Sequence, residues 1–214
     1  MKLLALETAT EVCSIALLYD DQPVAVVEER VPRKHAEMLP LFYQELALKT
    51  KFNLADLDGI AISIGPGSFT GLRIGLSFAK GLAYGHGLPL IPIPTLLALI
   101  SGINEKTGRM KMMLFSHRDR IYHQDFEIQS NNLIELTEPA SVAWSDIVDQ
   151  FTDYDKLVHC GCETLLENEV KLIVPAVPSA VLIGKLAVRN YAEWLIRNPF
   201  QLVPNYISPF EFSK

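Results

Sequence analysis

The stretch Ile64-Gly65-Pro66-Gly67-Ser68-Phe69-Thr70-Gly71-Leu72-Arg73-Ile74-Gly75 narrows the choice of fold more than any other part of this chain. An apolar run, Gly59 to Ser63, precedes it and reads as a buried strand, and a helical pattern from about Ser68 to Tyr84 follows. Strand, glycine-rich turn and helix together present backbone N–H groups at a helix N-terminus. Gly71, Gly75, Ala79 and Ala83 then recur every four residues and form one stripe of small side chains, flanked by Leu72 and Leu76. So little bulk along one face lets a second helix approach unusually closely.

Around this unit the chain alternates strands and helices. Strands are expected at Lys2–Leu6, Val12–Leu18 and Val24 to about Val31, with turns at Glu7-Thr8-Ala9-Thr10 and Asp20-Asp21-Gln22-Pro23. A helix from about His35 to Lys49 carries Leu39, Phe42 and Leu46 on one face. The strand Ile60–Ile64, the small-stripe helix, a strand at Leu90–Ile93 and a helix from Thr95 to about Ile103, capped by Thr95, complete a first lobe of residues 1–104. That order is the order of a ribonuclease-H-like α/β unit, the building block of actin-like ATPases. Polar Asn104 to Arg109 marks the boundary of a smaller α/β lobe, residues 105–214. There the pattern predicts strands at Lys111–Phe115, Ile121–Ile128, Leu133–Leu136, Leu157–His159 and Lys171–Val174. It also predicts helices at Ser141–Phe151 and Ser179–Ile196, each capped by its first serine, and a Pro-rich aromatic tail, Asn198–Lys214, lying against the body. The fold class is therefore α/β, with two ribonuclease-H-like lobes of which the second is reduced.

Composition bounds the function. With 214 residues, 49% hydrophobic and 21% charged, the chain has an ordinary globular make-up. A net charge of −6 argues against its gripping a nucleic acid backbone alone. The densest basic stretch, Lys106, Arg109, Lys111, Arg118 and Arg120, reads as solvated surface. Three cysteines without framework spacing imply a reduced, cytoplasmic protein: Cys13 in the core, and Cys160 and Cys162 as thiols without chemistry. No signal peptide and no membrane span is expected, since Pro89, Pro92 and Pro94 interrupt the apolar run Leu88–Ile100.

The residues carry a family likeness. Leu3-Leu4-Ala5-Leu6-Glu7-Thr8-Ala9-Thr10-Glu11-Val12-Cys13-Ser14 and Arg33-Lys34-His35-Ala36-Glu37-Met38-Leu39-Pro40 resemble TsaB proteins. So does the run from Leu57-Asp58-Gly59-Ile60-Ala61 through Gly65–Gly75 to Ala79-Lys80-Gly81-Leu82-Ala83. The resemblance covers about residues 1 to 100. The family commonly has Asp where this chain has Glu7, and a D-A-R stretch where this chain has Ser116-His117-Arg118. The resemblance implies a non-catalytic subunit that partners TsaD and the ATPase TsaE in making threonylcarbamoyladenosine beside the anticodon of tRNA. ATP and a metal are then expected on the partner subunits and none on this chain. Whether tRNA touches this chain stays open.

Against that stands an independent enzyme, hydrolytic (glycoprotease-like) or nucleotide-dependent. The catalytic relative carries paired histidines where this chain reads Ile93-Pro94-Thr95-Leu96-Leu97-Ala98-Leu99-Ile100. His35, His86, His117, His123 and His159 are too scattered to pair on one helix face, so neither a metal site nor catalytic residues are expected. Glu7 lacks a carboxylate companion on the Gly59–Ile64 strand, which leaves a two-metal nuclease incomplete. Glu7 and Thr8, with Gly65, Gly67 and Ser68, could form a vestigial nucleotide or anion site; the other reading gives the glycines to the turn and to close packing, with Ser68 as helix cap. The stripe Gly71, Leu72, Gly75, Leu76, Ala79 and Ala83 reads as a partner interface, homodimeric alone and heterodimeric with TsaD. Its alternative is a contact inside the chain with the His35–Lys49 helix.

Overall fold

The computed structural model describes residues 1–130, 132–166 and 173–207. The chain divides into two compact units, Met1–Ala98 with Pro178–Asn205, and Leu99–Val177 with Tyr206–Lys214.

In the first unit β1 (Lys2–Glu7), β2 (Val12–Tyr19) and β3 (Gln22–Arg30) form an antiparallel meander. After α1 (His35–Thr50), β4 (Gly59–Gly65) joins β1 in parallel; after α2 (Phe69–His86), β5 (Leu90–Pro94) joins β4 in parallel. The sheet order is β3-β2-β1-β4-β5. Strand period sorts the two faces. Leu4, Leu6, Ile15, Leu17, Ile60 and Ile62 line one face and pack with Leu39, Phe42 and Leu46 of α1 and Leu76, Ala79 and Ala83 of α2. The opposite face, with Leu3, Ala5, Ala16, Leu18 and Ala61, is equally sealed.

After the short α3 (Thr95–Ser101), the second unit runs through β6 (Gly108–His117), β7 (Arg120–Gln129), β8 (Asn132–Glu135), β9 (Ala140–Ala143), β10 (Lys156–Cys160) and β11 (Ile173–Pro175). Its sheet order is β11-β10-β6-β7-β8, with β9 pairing on β7. Met113, Ile121, Ile147, Phe151 and Leu157 form a core in which helices are reduced to 3-10 turns at Trp144–Asp146 and Val148–Asp153.

α4 (Ala180–Arg189) then returns to the first sheet and covers its second face. Ser179 caps it as expected, and a Cβ on Gly184 would meet the Leu18 side chain, so only glycine permits this approach. Residues 178–205 therefore belong with the first unit and not, as the boundary at 104 implied, with the second: the Leu3–Leu18 face needs a helix, and the first 104 residues supply none for it.

Three further expectations change. The helix expected at Ser141–Phe151 is β9 followed by 3-10 turns, because Ser141 and Val142 pair with Tyr122 and Ile121 across the sheet. The long helix from Ser179 stops at Arg189, where Asn190 donates from both its backbone and its side chain to the Leu186 carbonyl; α5 (Tyr191–Trp194) is a separate turn. Thr95 is no free cap: its Oγ1 is buried and accepts the Gly65 N–H at 3.1 Å. Of the strand expected at Lys171–Val174, residues 171 and 172 lie outside the described residues, as do residues 208–214 of the tail. The described tail does lie on the first unit: Leu202 packs on its core, and Asn205 N–H donates to the Ile64 carbonyl at 2.7 Å. No helix among the described residues is long and apolar enough to cross a membrane.

Candidate functional site

The turn after β1 and the turn after β4 meet where a parallel neighbour pair brings two C-terminal strand ends together. This juxtaposes Glu7 and Thr8 with Gly65, Gly67 and Ser68, so the five residues named for an anion site do share one place. Their hydrogen bonds, however, close on each other. Ser68 N–H donates to the Ala9 carbonyl at 2.7 Å, Gly71 N–H to Ser68 Oγ at 3.2 Å, and Leu72 N–H to the Ser68 carbonyl at 2.9 Å. A Cβ on Gly67 would collide with the Ala9 carbonyl oxygen, and one on Gly65 would come within 2.7 Å of the Asn205 carbonyl oxygen. The glycines are thus required by close approach of backbone, and the group that α2 meets at its N-terminus is a carbonyl of the chain itself. An oxygen lone pair at that position opposes a phosphate.

Glu7 is fully buried. Burial pushes its carboxyl from 4.5 up to about 7, outweighing the Ala9 N–H that Glu7 Oε1 accepts at 2.5 Å and the Ser63 hydroxyl. A carboxylate so poised is a poor permanent counter-charge for a metal. Thr8 Oγ1 is buried with no hydrogen-bond partner, an arrangement that costs about 1–3 kcal/mol.

The small stripe also turns inward. Gly71, Leu72, Gly75, Leu76, Ala79 and Ala83 are all buried within the unit. A Cβ on Gly71 would strike the Thr8 carbonyl; one on Gly75 would strike Thr8 Oγ1 and come within 3.1 Å of Ile62. The expected partner interface is therefore an internal contact, against β4 and the turn at Thr8 more than against α1, which meets α2 through Tyr43 and Phe78 (ring centroids 5.8 Å apart). A stripe of glycines lets a sheet come as close as a helix would. Solvent reaches instead Thr70, Arg73, Ser77, Gly81 and Tyr84 on the opposite side of α2.

In the second unit the structure holds a cluster that composition did not suggest. Lys111, assigned to a solvated surface, is 1% exposed. Its Nζ donates to Asp125 Oδ1 at 2.6 Å, directly across the β6–β7 ladder, and Tyr154 OH donates to Asp125 Oδ2 at 2.6 Å. Burial raises the Asp125 carboxyl, but the Lys111 and Tyr154 hydrogen bonds prevail and hold it below the usual carboxylate range. His123 Nδ1 lies 3.3 Å from Lys111 Nζ, and burial together with that ammonium lowers its titration. The sequence signal was one lysine inside the apolar run Met110–Phe115. Cys13, Cys160 and Cys162 are buried thiols; burial pushes Cys13 and Cys162 up to about 12, which leaves those two unreactive. Among the described residues, no three His, Cys, Asp or Glu side chains gather in a way that could hold a metal.

The fold is that of the ribonuclease-H-like, actin-like ATPase class, and its glycine-rich turn packs against the chain's own backbone. A family model described as "TsaD: tRNA N6-adenosine threonylcarbamoyltransferase" matches residues 19–184. The TsaB protein of Escherichia coli K12, named for tRNA threonylcarbamoyladenosine biosynthesis, is 33% identical over 150 residues, 69% of this chain and 64% of that protein. The TsaB protein of Haemophilus influenzae is 41% identical over 99 residues, 46% of this chain and 42% of that protein. The chain thus spans less than two thirds of either relative's length. The solved structure of YeaZ from Pseudomonas aeruginosa shares the fold, with a TM-score of 0.78 at 24% identity over 96% of this chain and 99% of that one. The chain belongs to the TsaD family, and TsaB proteins are among its relatives.

Proposed function

We propose that this chain is a non-catalytic partner subunit in threonylcarbamoyladenosine synthesis, activating TsaD together with TsaE so that the adenosine next to the tRNA anticodon is modified. The observation that supports it is the closed turn: Ala9 occupies the position at which α2 would meet a phosphate, and Gly65, Gly67 and Gly71 serve that closure. At α3, where the resemblance places paired histidines in the catalytic relative, Leu96, Leu97, Ala98, Leu99 and Ile100 are buried apolar side chains. ATP and metal then belong to the partner subunits, the reaction takes place in the cytoplasm, and the chain alone pairs with itself.

Reconstitution tests this reading. The isolated chain is expected to modify no tRNA, hydrolyse no peptide and turn over no ATP, whereas its addition to TsaD and TsaE from the same organism restores modification of tRNA. Turnover by the isolated chain that withstands both Glu7→Ala and a chelator would sink it.

A further inference from the structure

We propose that the C-terminal end of α2 and the strap 197–200 form a binding site for a single nucleotide. The place follows from the fold of the first unit. Ile196 pairs with Leu90 in an antiparallel bridge, which sets Arg197 beside the end of α2. Lys80 Nζ then donates to the Phe200 carbonyl at 3.0 Å and the Leu202 carbonyl at 2.7 Å, pinning the Pro199–Gln201 turn against the helix. Between them lies a cavity of about 160 Å³, floored by Ala83 and Leu88 and rimmed by Lys80, Tyr84, Arg197 and Phe200.

Three properties select the ligand. First, sites for drug-sized ligands hold roughly 300–1,000 Å³, so this one admits one ring system and leaves the rest of the molecule outside. Second, Tyr84 is 77% exposed and Phe200 66%, with centroids 5.8 Å apart and planes at 70°. Two aromatic rings held this far into solvent are a stacking platform of the kind that single-stranded nucleic acid sites use. Third, neither Lys80 nor Arg197 has an ion-pair partner among the described residues. In a chain of net charge −6 two cations without carboxylates mark a place for an external anion. Gly87, closing α2 in a left-handed conformation, lines the same wall.

The proposal does not rest on the partner-subunit reading, since a free nucleotide or a base splayed from RNA offers the same chemistry. Calorimetric titration of the full chain with AMP, UMP, adenosine and inorganic phosphate, and anisotropy with a labelled single-stranded hexaribonucleotide, test it. We expect AMP and UMP to bind at about millimolar strength, with adenosine and phosphate each weaker. Arg197→Gln and Tyr84→Leu alter exposed side chains; we expect each to retain the circular dichroism and melting profile while weakening AMP by about fivefold to tenfold. Binding of both AMP and the oligonucleotide, with the same sensitivity to the two variants, would assign the free nucleotide; binding of the oligonucleotide alone would assign an RNA strand. Absence of both, affinity unchanged in both variants, or phosphate binding as tightly as AMP would overturn the proposal. Reconstituted tRNA modification is a separate readout, so failure of either idea leaves the other standing.

Discussion

At the centre of the first sheet β1 buries Leu3, Leu4, Ala5 and Leu6 completely between helices on both faces; at the centre of the second, β6 buries Lys111 just as deeply. The first unit gains its order from approach distance, with Gly71, Gly75 and Gly184 each placed where one added carbon would collide. The second gains it from a directed polar cluster in which one carboxylate serves an ammonium and a phenol. Close apolar packing is strong but tolerates some repacking, whereas a buried charge tolerates no loss of its partner.

The sharpest break in that comparison is Asp125→Ala. It leaves the Lys111 ammonium buried without a counter-charge and is expected to cost about 3–5 kcal/mol in chemical denaturation, while the double change Lys111→Met, Asp125→Leu recovers most of it. In the wild type the Asp125 contribution is present above the ordinary Asp value of 3.8 and is lost as pH falls through its depressed folded value. Next in size, Gly75→Leu is expected to unfold the first unit by about 3 kcal/mol, the upper range for overpacked cores. Gly81→Ala, on the open side of α2 with nothing within 4 Å, should instead stabilise by about 0.4–1 kcal/mol. Equal melting temperatures for those two variants would contradict the inward-facing stripe.

A second pH effect has the opposite sign. The folded Glu7 holds its proton up to about 7, against 4.5 when unfolded, so its burial weakens the fold as pH rises between those values. Glu7→Gln keeps an acceptor for the Ala9 N–H and is expected to stabilise above pH 7, by about 3 kcal/mol at most, with no effect below pH 4.5. A stabilisation independent of pH would refute it.

Apolar periodicity made the first unit legible element by element, from β1 through α3, because the strands and helices there, β3 excepted, bury a continuous face. The same logic misled at Ser141–Phe151, where Ile147 and Phe151 are spaced for a helix but Ser141 and Val142 are claimed by β7, a pairing no local pattern encodes. For the stripe, sequence revealed which residues share a side of α2 but not what covers that side. The glycine turn was read with two meanings, and the Ala9 carbonyl, which accepts the Ser68 N–H, supports the one that gives the glycines to close packing. Arg197 and Phe200 were invisible as site residues because they meet Tyr84 from more than a hundred positions away.

The return of α4 to the first sheet has a bearing on how the chain is made. A nascent chain that has just emerged through β5 exposes Leu3, Ala5, Ala16 and Leu18 until some ninety further residues have been synthesised. These strands therefore wait on a helix made much later, and a fragment cut at residue 104 would be sticky where the complete first unit is dry.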